Sequence, residues 1–259
     1  LTGGPAGGRI SPDDFRHVSL AETVSTNSEC LARAREGDPG NLWITATRQT
    51  GGRGRRGRAW FSERGNLYAS LLLIDPAPVE KLHSLPLAAA VAVHRAIRRV
   101  MPPGSPEVAI KWPNDILIDG RKTCGILLEG ESLPDGRHAL VIGCGINVAT
   151  IPAEALYPVT SLRLAGATIS PEELFAHLFV TMAETLATWN HGAGVASIIA
   201  EWRAAARGVG EAITVNLPDR SLSGRFVGID QDGRLILDTG SGAPQAIAAG
   251  DVFFRMNEK

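Results

Sequence analysis

Gln49-Thr50-Gly51-Gly52-Arg53-Gly54-Arg55-Arg56-Gly57-Arg58-Ala59-Trp60 is the stretch on which the reading of this chain turns. Arginines interleaved with glycines build neither helix nor strand cheaply, because each glycine adds backbone entropy to lose and packs nothing. A mobile loop is expected. Its chemistry is nevertheless specific: glycine N–H groups can approach an anion closely, and guanidinium forks bind phosphate or carboxylate oxygens through two parallel bonds. Arg/Gly runs also occur in RNA-binding tails, and many charge runs are simply solvated. The flanks decide. Leu42 to Thr47 and Leu67 to Ile74 are strand-like, so the ends of the loop are anchored in a sheet and it reads as a lid over a small anion.

At 259 residues the chain can form one large domain or two, and its 44% apolar and 20% charged composition is that of a folded protein rather than a disordered one. The net charge of -1 gives no overall field for a polyanion, so the basic character is local. Cys30, Cys124 and Cys144 are widely spaced and odd in number, which suggests neither a disulfide framework nor a zinc site; they read as reduced thiols of a cytoplasmic protein. The six histidines lack metal-ligand spacing. The most apolar segment, Leu85 to Val93, is too short to cross a bilayer, no signal peptide opens the chain, and the Gly/Pro-rich start within residues 1–14 reads as a flexible tail.

Phe15 to Val24 is a plausible first strand. Thr26 followed by Glu29 has the spacing of a capping box, which predicts a helix from there to a stop at Gly37 and gives Ser25, Thr26 and Asn27 a plain capping role; a helix N-terminus also offers free N–H donors to a ligand. Val79 to Met101 reads as a long core helix restarted at Pro86. In Lys111-Trp112-Pro113-Asn114-Asp115 the proline puts Asn114 and Asp115 in a turn. Asp119-Gly120 signals a hairpin, expected to set Lys111 and Lys122 on adjacent strands at one end or face of a sheet. Ala139 to Val148 is a buried strand in which Gly143 and Gly145 permit close approach of another group, with Cys144 a buried filler rather than a nucleophile. Helices follow over Pro171 to Trp189 and Val195 to Ala206, the first opened by Ser170-Pro171-Glu172-Glu173. From Gly208 the pattern changes to short strand-like runs at Ile213 to Leu217, Leu222 to Ile229, Leu235 to Leu237 and Val252 to Arg255, predicting a small antiparallel barrel over residues 208–259 beside a first domain of residues 1–207.

Four motifs occur together and in order: the loop Gly52 to Trp60, the corner Lys111 to Asp115, the run Arg121-Lys122-Thr123-Cys124-Gly125-Ile126-Leu127-Leu128-Glu129, and Gly143-Cys144-Gly145-Ile146-Asn147-Val148. Together they resemble the biotin protein ligase family, over about Ser25 to Glu258; Gly51 stands where alanine is common in that family. The resemblance implies an α+β fold: a catalytic domain like that of class II aminoacyl-tRNA synthetases, with a mixed, mostly antiparallel sheet and flanking helices, plus a small C-terminal SH3-like barrel. It implies two reactions, in which biotin and ATP, with Mg²⁺, give biotinyl-5′-AMP and pyrophosphate, and the adenylate then acylates one lysine of a biotin carboxyl carrier protein or carrier domain. No tightly bound cofactor, no protein metal site and no side-chain nucleophile are implied, because biotin supplies its own carboxylate. What the chemistry does require is cations and backbone donors to gather two repelling anions.

Residue by residue, the resemblance assigns Ser25, Thr26, Asn27 and Gln49 to the ureido ring of biotin, Gly52, Arg53, Gly54 and Arg55 to the lid over biotin and its acyl phosphate, and Gly125 to the biotin site. Lys122 matches the lysine near the carboxylate and α-phosphate, and is expected to be the main electrostatic catalyst, with Arg55, Lys111 and Asp115 beside it. Arg56, Trp60, Lys111, Asn114, Asn147 and Arg255 are assigned to the nucleotide, and Asp115 to orienting or deprotonating the incoming lysine. Too few residues precede Ser25 for a helix-turn-helix, so a ligase without DNA-binding or membrane function, acting as monomer or homodimer, is expected. The competing readings are a lipoate ligase, whose Arg-Arg-x-Ser-Gly-Gly-Gly loop is absent here, and a nucleic-acid-binding module using the Arg/Gly loop.

Overall fold

The computed structural model describes residues 10–155 and 157–254. Among the described residues twelve strands and four α-helices form two sheets with packed helices, the α+β architecture expected. The first sheet contains β1 (Arg16–Leu20), β2 (Leu42–Ala46), β3 (Leu67–Ile74), β4 (Val108–Lys111), β5 (Asp115–Ile118), β6 (Arg121–Ser132) and β7 (His138–Ile146), in the order β1-β2-β3-β7-β6-β5-β4. Only the β1/β2 pair is parallel.

Strand alternation sorts this sheet into two faces. On one, Trp43, Leu71, Leu73, Ile110, Ile116, Cys124, Ile126, Ile142 and Ile146 join a large core with α2 (Leu85–Val100), α3 (Pro171–Trp189) and α4 (Val195–Ala204). Ala88, Ala89, Ala92 and Ala96 keep α2 thin where it crosses the strands. On the other face, Leu42, Ile44, Leu72, Ala139 and Val141 pack under α1 (Thr26–Arg35) through Cys30 and Ala34. Helix α1 is short and covers only part of this face. Beyond its N-terminus the sheet presents Ser70, Gly143, Gly145 and Gly125, residues too small to fill the space, and a hollow is left.

Several expectations change in detail. Pro12–Asp14, placed in the tail, form a 3-10 turn capped by Ser11. Ser25 rather than Thr26 caps α1, accepting from the Ser28 N–H, which leaves the Thr26 side chain to face the hollow. Lys111 and Lys122 are not on adjacent strands, because β5 runs between β4 and β6. Helix α4 ends at Ala204, and Ala205–Arg207 turn to cover the outer edge of β4, with Ile110 N–H donating to Ala205 O at 2.7 Å and Arg207 N–H to Ile110 O at 2.8 Å.

The second sheet comprises β8 (Ala212–Asn216), β9 (Ser221–Ile229), β10 (Leu235–Asp238), β11 (Gln245–Ile247) and β12 (Asp251–Phe254), antiparallel in the order β11-β10-β9-β8-β12. Alternation buries Ile213 and Val215 of β8, and Leu235 and Leu237 of β10. Trp112 Nε1 donates to Gly233 O at 3.0 Å, joining this sheet to the first. β12 brings Asp251 and Phe253 to the rim of the hollow.

Candidate active site

The floor of the hollow is set by strand register. Tyr68, Gly145, Gly125, Asp115 and Lys111 are successive partners across β3, β7, β6, β5 and β4, and side chains in such a row share a face. Lys122 joins them through an irregularity. Leu117 pairs with Lys122 but Ile116 pairs with Cys124, so Thr123 is an extra residue in β6. A β-bulge of this kind re-aims the side chain beside it. An unbroken strand would turn Lys122 to the core with Cys124; here its Cε lies 3.4 Å from where a Cβ on Gly125 would stand.

Lys122 Nζ sits 2.7 Å from Asp115 Oδ1, both side chains being mostly buried. Burial is the largest influence on the Lys122 amine and lowers its pKa, but the Asp115 carboxylate, with a smaller contribution from Tyr157, outweighs it and the amine is held above its ordinary value. Lys111 has no such carboxylate contact among the described residues: burial dominates and lowers its pKa, and its ammonium lies 5.6 Å from the Phe253 ring centre. Two cations thus flank one carboxylate.

One end of the hollow is polar and closely tied. Thr26 N–H donates to Gln49 Oε1 at 2.8 Å. Ser70 Oγ lies 2.7 Å from Thr26 Oγ1 and 2.6 Å from Asn27 Oδ1. Asn27 Nδ2 donates to Glu129 Oε2 at 2.8 Å. A Cβ at position 143 would stand 2.1 Å from Asn27 Oδ1, so glycine is required there for the amide to lie on the sheet. This end offers both donors and acceptors.

The Arg/Gly loop forms the roof: Arg53 and Ala59 form a β-bridge around a 3-10 turn at Arg55–Gly57. Acidic residues remote in sequence offset part of its charge. Arg53 donates to both oxygens of Glu129 and to Ser28 Oγ. Arg55 reaches Asp251 Oδ1 at 2.5 Å, Arg56 reaches Asp251 Oδ2 at 3.1 Å, and Arg58 donates to the same Oδ2. Burial is the largest influence on Arg55 and lowers its pKa. Trp60 lies against bare backbone, its Nε1 2.4 Å from where a Cβ on Gly145 would be.

Of the residues expected at the site, Ser25, Thr26, Asn27, Gln49, Arg53, Gly54, Arg55, Trp60, Lys111, Asn114, Asp115, Lys122 and Gly125 line the hollow. Gly52 lies behind it, accepting from Trp60 N–H at 2.9 Å. Arg56 points to Asp251. Asn147 is buried away from the hollow, where its Nδ2 donates to Thr160 O at 3.1 Å and its carbonyl accepts from Leu162 N–H at 2.9 Å. Arg255 lies outside the described residues. Asp251, Ser70 and Tyr157 were missed, each being far in sequence from the motif it serves, and Glu129, although it closes the run from Arg121, was given no role there. Cys30, Cys124 and Cys144 are buried free thiols, and burial pushes Cys144 up to about 12. Among the described residues no helix is long and apolar enough to cross a membrane.

A family model described as the Biotin/lipoate A/B protein ligase family matches residues 23–147, and one described as the Biotin protein ligase C terminal domain matches residues 208–255. The biotin--[acetyl-CoA-carboxylase] ligase of Paracoccus denitrificans is 37% identical over 244 residues, which cover 91% of this chain and 99% of that protein. This chain belongs to the biotin protein ligase family. A bifunctional ligase/repressor of Bacillus subtilis is 34% identical over 90% of this chain and 71% of its own length. Among solved structures, the biotin protein ligase from Aquifex aeolicus in complex with biotin and ATP has a TM-score of 0.77 and 28% identity, covering 93% of this chain and 99% of that one.

Proposed function

We propose that this biotin protein ligase forms biotinyl-5′-AMP in the hollow beneath the Arg/Gly loop and passes the biotinyl group to a lysine of a carboxylase carrier domain. The observation that carries this assignment is the Lys122 ammonium on the floor, 2.7 Å from Asp115, between the polar end around Asn27 and the arginine roof. A biotin whose ureido ring meets Thr26, Asn27 and Gln49 points its carboxylate along the floor toward Lys122. Carboxylate and α-phosphate repel each other, and Lys122 with Arg53 and Arg55 offsets that repulsion as charge gathers at phosphorus. The carboxylate oxygen bonds to the α-phosphorus while the bond to the β-phosphate oxygen breaks, and pyrophosphate leaves. In the second step the carrier amine attacks the acyl carbon and AMP departs. Asp115 is the carboxylate placed to orient that amine or to take its proton, because an amine near its ordinary pKa of about 10.4 is mostly protonated at neutral pH.

Magnesium would arrive with the nucleotide. Among the described residues no cluster of three or more acidic, histidine or cysteine side chains could hold a metal alone. Among the described residues Asn114 Oδ1 is buried without a hydrogen-bond partner, and Asn114 and Asp115 both line the hollow; each offers hard oxygens suited to a cation held chiefly by phosphates. The metal would supply charge neutralisation on the phosphates. Lys111, buried and without a carboxylate contact among the described residues, is suited to a phosphate. We assign residues 1–207 to the biotin- and ATP-binding domain and 208–259 to a smaller domain that brings Asp251 and Phe253 to the nucleotide end. The near-neutral net charge supports a protein rather than a nucleic-acid substrate.

The test is accumulation of the mixed anhydride. Protein incubated with biotin, labelled ATP and magnesium should yield biotinyl-5′-AMP, whereas lipoate should not replace biotin. Failure with biotin, or equal use of lipoate, would overturn the assignment.

A further inference from the structure

The Lys122 ammonium has a neighbour that the motifs do not contain. Its Nζ lies 5.3 Å from the Trp60 ring centre and 5.1 Å from that of Tyr157, with Asp115 Oδ1 as its ionic contact at 2.7 Å. Both rings are within the range at which a cation is drawn to an aromatic face. Trp60 comes from the lid; Tyr157 comes from the segment after β7 and lines the hollow.

That segment is attached to Lys122 itself. Lys122 N–H donates to Pro158 O at 2.9 Å, and Thr160 N–H donates to Lys122 O at 2.9 Å, so residues 158–160 run as a short parallel bridge along the lysine backbone. Asn147, buried away from the hollow, anchors the same segment through Thr160 O and Leu162 N–H. Backbone attachment places residue 157 next to Lys122, and the bulge at Thr123 turns the lysine side chain to the same hollow that Tyr157 lines. A flexible four-carbon stem is thereby held at a defined place without a second carboxylate, which would repel the anionic substrates.

We propose that Tyr157 is a positioning residue for adenylation: its ring face and that of Trp60 form an aromatic cage that holds the Lys122 ammonium where carboxylate and α-phosphate meet. The inference rests on the role assigned to Lys122 above. The ring is required rather than the hydroxyl, since a cation is drawn to the face of the π system. The titratable and charged groups facing Lys122 are Asp115 from β5, Lys111 from β4, Cys124 from β6 and the Tyr157 phenol; Cys124 is pushed well above its ordinary pKa by burial and stays neutral.

Two readouts separate this inference from the function on which it rests. In the full chain, Tyr157→Leu should lower kcat for biotin-dependent ATP/pyrophosphate exchange about tenfold, the equivalent of about 1.4 kcal/mol, with the KM for biotin little changed. Tyr157→Phe should retain kcat within about twofold. Pentafluorophenylalanine at position 157 keeps the shape, reverses the charge on the ring face, and should behave like leucine. Independently of any activity, the Lys122 amine followed by NMR should titrate at a lower pH in the leucine and pentafluorophenylalanine proteins than in wild type or Tyr157→Phe. Loss of activity in Tyr157→Phe equal to that in Tyr157→Leu, or an unmoved Lys122 titration in the fluorinated protein, overturns the cage. Absence of exchange in wild type would overturn the function and leave the titration to decide the cage.

Discussion

Lys122 and Gly125 face the same hollow from one strand although three residues apart, a separation that regular alternation would send to opposite faces. The extra residue Thr123 corrects the parity and delivers an ammonium to the floor. Asp115 then holds it charged. A base whose folded pKa is raised above its unfolded value contributes stability that is complete below the unfolded value, here 10.5, and is lost as pH rises through the folded one. The pH profile of adenylation should therefore show no break assignable to Lys122 below pH 10.5. A break that moves with Asp115→Asn at neutral pH would contradict this assignment.

Asp251 ties the roof to the second sheet through Arg55, Arg56 and Arg58. Burial, the largest influence, raises its pKa, but the hydrogen bond from Arg58 and the charges of Arg55, Arg58 and Arg56 together hold the carboxyl below its ordinary 3.8. Sign follows: a depressed folded pKa gives stability that is present above 3.8 and lost as pH falls through the lower folded value. Protection of the Gly54 amide, which donates to Arg58 O at 2.7 Å, should persist in hydrogen exchange down to about pH 4. Asp251→Asn should speed tryptic nicking between Arg53 and Arg58 at neutral pH. Equal nicking rates in variant and wild type would show that the clamp does not hold the roof.

Gly143→Ala should act on biotin and spare the nucleotide. Its Cβ would overlap Asn27 Oδ1, forcing the amide off the sheet and away from Ser70 and Glu129. Losing a buried hydrogen bond of this kind costs about 1–3 kcal/mol, so the KM for biotin should rise about tenfold or more while that for ATP changes little. An equal rise in both would mean that Asn27 is not at the biotin end.

Lys111→Met should stabilise the unliganded protein and harm nucleotide use. The buried ammonium lies near Phe253 and lacks a carboxylate contact among the described residues, so replacing it with an apolar chain of similar length removes a desolvation cost of about 1 kcal/mol. For a chain of this size that is a rise of about 2–4 °C in Tm. The KM for ATP should increase in the same variant. A lower Tm would show that Lys111 is a structural cation.

The lid, the lysine corner and the glycines at 143 and 145 were legible because each is local: spacing alone tells that Gly143 can sit under another group. What sat under it was not, since Asn27 is 116 positions earlier by the numbering and no periodicity links the two. The same holds for Asp251, whose contact with Arg55 spans 196 positions. The hairpin at Asp119-Gly120 was readable from its turn residues, yet the order of β4, β5 and β6 was not, so Lys111 and Lys122 were expected on adjacent strands when Asp115 lies between them. A bulge has no composition of its own, which hid the reason for the direction of Lys122. β11 is three residues long and falls below what alternation can signal.

The central claim is that the Lys122 ammonium lowers the barrier to joining two anions, and biotin-dependent ATP/pyrophosphate exchange by Lys122→Ala measures it most directly. Loss of one charge-stabilising donor lowers such a rate by about 10²- to 10³-fold, and that loss is expected here, with transfer from supplied biotinyl-5′-AMP less affected. Exchange within a few-fold of wild type would contradict the account.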